Sequence, residues 1–118
     1  MSECCGGPKL VFACSGAADV GAITDQAARK VTAGGKGKMF CMAGIGGRVS
    51  GIMKTTEAAS KIVAVDGCPL NCVKNSLEQA GFRAFAHVQL AEMGMEKGKS
   101  PLSDDKVAAV AAKIEEAL

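Results

Sequence analysis

Apolar and polar positions along this chain follow two periods. Short apolar runs, KLVFAC at 9–14, KMFCMA at 38–43 and IVAV at 62–65, are bounded by Gly, Ser or Asp and read as buried strands. Residues 84–90 read as a fourth. Between them, apolar positions recur at spacings of three and four. Val20, Ile23, Ala27 and Val31 predict a helix over 17–32, stopped by Ala33-Gly34-Gly35. Val49, Ile52, Met53 and Ala59 predict a weaker one over 47–60, with Gly51 inside it. Leu70, Val73 and Leu77 predict a third over 69–80, opened by Pro69, whose missing N–H suits the first helical position, and ended by Gly81. Ser103 is placed to cap a last helix with Val107, Val110, Ala111, Ile114 and Leu118 along one face. Asp104 and Asp105 complement its positive end.

The order βαβαβαβ followed by α predicts a parallel sheet, because right-handed crossovers are close to obligatory. We expect a single three-layer α/β domain over 9–118. Its four-stranded, mainly parallel sheet would run in the order 2-1-3-4 with helices on both faces, a Rossmann- or flavodoxin-like arrangement. Residues 1–8 read as a flexible tail carrying Cys4 and Cys5. Under this topology Cys14, Cys41 and Cys68 emerge at the carboxyl ends of three neighbouring strands, the edge where open α/β sheets bind ligands. Thiols far apart in sequence then converge.

Composition narrows the function. The 118 residues suffice for one core. That core is aliphatic, with four Phe and no Trp or Tyr. A net charge of +2 with dispersed basic residues gives no stripe for gripping phosphate backbones, so nucleic acid is not an expected partner. No apolar run approaches about 20 residues and the N-terminus lacks a signal-peptide h-region, so we expect a cytoplasmic protein without a membrane partner. Six cysteines in a reducing compartment point to metal ligation or thiol chemistry rather than disulfides.

The stretch IVAVDGCPLNC at 62–72 carries the strongest chemistry. A strand that stops at Asp66-Gly67 and restarts as a helix at Pro69 would put Cys68 and Cys72 in the helix's opening turns, where free N–H groups and the dipole favour thiolate. On a helical turn, the Cys-x3-Cys spacing sets both sulfurs on one face. Four thiolates around one ion make a closed zinc site, and the same ligands suit an iron–sulfur cluster or Cu(I). Cys14 and Cys41, inside or just after apolar runs, also fit as small core residues. His87, the lone histidine, would share a strand face with Phe85 and Gln89 as a solvated or hydrogen-bonded residue. Asp66 reads as a loop brace, or as a group that orients a nucleophile. The stretch GIGGRVSG at 44–51 matches neither GxGxxG nor a Walker loop, and the spacing from Cys41 to Arg48 is one too long for a Cys-x5-Arg phosphatase loop.

Four segments together, CSGAADVG at 14–21, FCMAGIGG at 40–47, VDGCPLNC at 65–72 and LAEMGMEKG at 90–98, resemble the DGC-domain proteins, described as zinc-binding and named for the Asp-Gly-Cys triplet. The resemblance implies that Cys14, Cys41, Cys68 and Cys72 are zinc ligands, and it leaves the purpose open. A zinc-binding domain with a structural, sensing or carrier role is therefore the first expectation. The second is a thiol oxidoreductase or thiol-transfer enzyme in which Cys68 attacks and Cys72 or Cys14 resolves. An iron–sulfur protein is the third.

Overall fold

A computed structural model describes residues 6–118. Cys4 and Cys5, and most of the expected tail, lie outside the described residues. The sheet has four parallel strands in the order β2-β1-β3-β4, the order the sequence predicts. They are β1 (Lys9–Ala13), β2 (Lys38–Met39), β3 (Lys61–Asp66) and β4 (Ala86–Gln89). The helices are α1 (Asp19–Ala33), α2 (Met42–Gly46), α3 (Ser50–Glu57), α4 (Cys72–Gln79) and α5 (Asp104–Ala117), with a single 3-10 turn at Leu90–Met93. Among the described residues no helix is long and apolar enough to cross a membrane.

The central strands read as unbroken apolar runs because both faces of the sheet are covered. Val11, Val63, Val65 and Val88 pack under α1 and α5 with Ile23, Val31, Val110 and Ile114. Leu10, Phe12, Ile62 and Ala64 face the other way, against Ile45, Val73 and Leu77 of α2 and α4. Each fully buried Leu, Ile or Phe contributes about 1.5–3 kcal/mol of transfer free energy, so the aliphatic core accounts for most of the fold's cohesion. Ser103 caps α5 through its hydroxyl, which accepts the Lys106 N–H at 3.3 Å.

Three expectations need correction. The strand predicted at 38–43 pairs over two residues only, because the chain turns into α2 at Met42. The helix expected over 47–60 is only its 50–57 part, α3, and the glycine-rich stretch before it holds a separate helix, α2. They break where Arg48 takes a left-handed φ of 56° and donates to the carbonyls of Ile45 and Gly46. Gly44 belongs to this close packing: a Cβ there would lie 2.7 Å from Ile52 Cγ1. Finally, α4 starts at Cys72, not Pro69, because Asn71 adopts a left-handed φ of 55° just before it. Pro69 and Leu70 stay in the loop, and Leu70 is 67% exposed rather than on an apolar face.

Candidate functional site

Cys14 follows the last residue of β1, and the chain there is tied in from both sides. The Gly67 N–H donates to its Sγ at 3.3 Å, and Thr24 Oγ1 of α1 stands 3.2 Å from the same sulfur. Thr24 also donates to the Cys14 carbonyl at 2.6 Å. Burial pushes the Cys14 thiol up from its ordinary value. The Thr24 and Gly67 contacts pull the other way, and the negative potential of Asp66 and Cys68 adds to the rise.

The β3–α4 crossing is the most constrained part of this edge. Asp66 is 1% exposed. Its Oδ1 accepts the Val73 N–H at 2.8 Å; its Oδ2 accepts the Lys74 N–H at 3.1 Å and meets His87 Nε2 at 2.8 Å. Helix starts leave unpaired N–H groups, and this carboxylate, seven residues upstream, satisfies two of those of α4. His87 is thus a hydrogen-bonded strand residue that steadies the brace. In the loop between, the Asn71 N–H donates to the Cys68 carbonyl at 3.2 Å, Asn75 holds the Leu70 carbonyl at 3.1 Å, and Gln89 donates to the Asn71 side chain. Gly67 packs so tightly against α1 that a Cβ would lie 3.0 Å from Val20. Cys68 is half-buried and packs against the α1/α5 core; Cys72, the first residue of α4, is exposed.

Cys41 is delivered differently. It precedes α2, and its Sγ accepts the Gly44 N–H at 3.3 Å. It is exposed, and it lines a shallow depression with Arg29, Thr32, Ala33, Met39 and Phe40.

A separate cavity of about 600 Å³ opens at the carboxyl edge of the sheet, lined by Cys14, Cys68 and Cys72. Three of the four cysteines singled out in the sequence therefore share one cavity, and Cys41 lies outside its lining. The family model of the DGC domain matches residues 10–114. The chain belongs to the DGC-domain family. It is also 35% identical over 88 residues to the anaerobic and virulence modulator AnvM of Pseudomonas aeruginosa, an alignment covering 75% of this chain and 67% of that one. No solved structure matches it. In this DGC protein the three letters of the triplet have separate tasks. Asp66 braces α4, Gly67 lets β3 approach α1 and donates to the Cys14 sulfur, and Cys68 walls the cavity.

The donor set fits a thiophilic ion in kind, since three thiols border one space and soft sulfur ligands select zinc or Cu(I). It does not form a closed shell: among the described residues no three His, Cys, Asp or Glu side chains are gathered closely enough to hold an ion as they stand. Sequence reasoning missed Thr24, Asn71 and Gln89, and also Lys97, which lines the cavity, and Asp19, which accepts N–H bonds from the loop that bears it. Of these only Asp19, an acid at the start of a periodic helix, carried a local signal.

Proposed function

We propose that this DGC protein binds one zinc-class metal ion through Cys14, Cys68 and Cys72, with the fourth coordination place open and a sensing or carrier role. The observation that carries this reading is the shared cavity: three thiols from two distant segments border one space at the ligand-binding edge of a parallel sheet. Cys41 is left as the cap of α2. An ion held this way would either clamp the β1–α1 and β3–α4 turns together or act as a Lewis acid on whatever takes the fourth place. Thr24 and the Gly67 N–H fix the Cys14 sulfur, and Asp66 fixes the helix start that bears Cys72. The relative's description as an anaerobic and virulence modulator suits a responsive role better than a purely structural one.

Elemental analysis of metal and acid-labile sulfide, on protein purified without chelator or added metal, tests this. We expect about one zinc per chain and no sulfide. Cys14→Ser, Cys68→Ser and Cys72→Ser should each lose the zinc, and Cys41→Ser should keep it. Equal loss in Cys41→Ser would argue for a four-sulfur shell. No metal at all would favour the second reading, thiol–disulfide exchange in which Cys68 attacks a substrate disulfide, releasing one of its thiols, and Cys72 or Cys14 on the same cavity resolves the mixed disulfide and releases the other.

A further inference from the structure

The cavity is far larger than an ion requires. At about 600 Å³ it falls in the range of small-molecule sites, roughly 300–1,000 Å³. Its lining is mostly small or apolar, including Ala17, Val20, Met42 and Val73, with Ser15 and Ser76 as hydroxyls. Apart from the thiols, one ionisable side chain lines it: Lys97. That lysine comes from a distant loop, and the loop is fastened. The Asp19 carboxylate, at the first residue of α1, accepts the Gly98 N–H at 2.9 Å and the Ser100 N–H at 3.0 Å. Ser100 is buried, and its hydroxyl accepts the Glu96 N–H at 2.7 Å. Gly98, with φ of 86°, allows the turn between these bonds. The backbone on both sides of Lys97 is therefore held at the cavity's rim. Glu96, the adjacent carboxylate in the loop, lines a neighbouring depression that Lys97 also borders, and it stands 3.8 Å from Lys99. Among the described residues Lys97 itself makes no ion pair.

We propose that the thiol-lined cavity receives a small organic anion, carboxylate or phosphate in character, and that Lys97 is the residue that selects its charge. This rests on reading the three-thiol cavity as the functional site, and it goes beyond metal binding by naming the chemical class of the molecule that meets the thiols. The apolar walls would hold the ligand's body while the lysine meets its charged end.

Alkylation of the metal-free protein tests the proposal directly, with iodoacetate and iodoacetamide as matched probes of different charge. Each probe transfers its CH2 carbon to a thiolate with loss of iodide, and the thiol proton goes to solvent. Rates are followed by mass spectrometry on the peptide of residues 62–74, which carries Cys68 and Cys72. The peptide bearing Cys41, outside the cavity, serves as internal reference. Lys97→Gln should lower the iodoacetate-to-iodoacetamide rate ratio at residues 62–74 by about threefold and leave the ratio at Cys41 unchanged, as expected for removing one nearby charge. The difference between wild type and variant should shrink in high salt. Lys99→Gln, from the same loop but outside the cavity, should leave both ratios unchanged. No response to Lys97→Gln, or an equal response to Lys99→Gln, would overturn the proposal. Because the protein is metal-free, a failure here is separate from a failure to retain zinc, which elemental analysis reads independently.

Discussion

Two crossings from sheet to helix deliver cysteines to the same edge, Cys68 and Cys72 from one and Cys41 from the other, and they are built to different standards. At β3–α4 a buried carboxylate ties the helix start and a strand histidine together, two amides hold the loop, and a glycine lets the backbone press on α1. At β2–α2 the exposed cysteine itself is the cap, through one N–H···S contact, on a five-residue helix. Equivalent places in a topology thus carry unequal precision. The thiols of the tightly built crossing line the cavity, and that of the loosely built one does not.

The largest test of this contrast is Asp66→Ala. It strands two helix N–H groups and removes the partner of His87, so it should cost about 3 kcal/mol in stability, read from urea unfolding midpoints. Cys41→Ala removes only a weak sulfur cap and should cost less than about 1 kcal/mol in the same experiment. Similar losses in the two variants would erase the distinction between the crossings. The smallest expected effect is local and extends the comparison to the cavity rim. Backbone N–H bonds from Gly98 and Ser100 hold the Asp19 carboxyl below its ordinary value of about 3.8. A depressed folded value means the loop's attachment is fully present above about 3.8 and is lost as pH falls through the lower folded value. Amide exchange at Gly98 and Ser100 should show protection falling over that acid window, and Asp19→Asn should flatten the dependence.

The strand pattern and order were legible because continuous apolar runs in a βα alternation leave few topologies, and Leu10 to Ala13 are buried on both faces as that reading requires. The carboxyl edge as the place where Cys14 and Cys68 line one cavity was legible for the same reason, whereas Cys41 lines a separate depression. What each sulfur faces was not. Strand order places a residue at an edge, whereas its neighbours depend on a few local dihedrals. Pro69 is a sound helix opener by itself, yet the left-handed Asn71 delays α4 until Cys72 and leaves Cys68 in the loop. The left-handed Arg48, a residue with no intrinsic preference for positive φ, likewise separates α2 from α3 and delays the helix expected from 47 until Ser50. Lys97 was illegible because its relation to the thiols runs through Asp19, about eighty residues earlier in the chain.

The sheet's outer strands have a consequence for how this protein meets others. The pairing of β2 extends over two residues and that of β4 over four. Long open edges invite another chain to add a strand and seed aggregation, and short ones offer little template. Lengthening of the sheet is therefore a poor route to association for this chain, and its open edges need no further cover against strand addition.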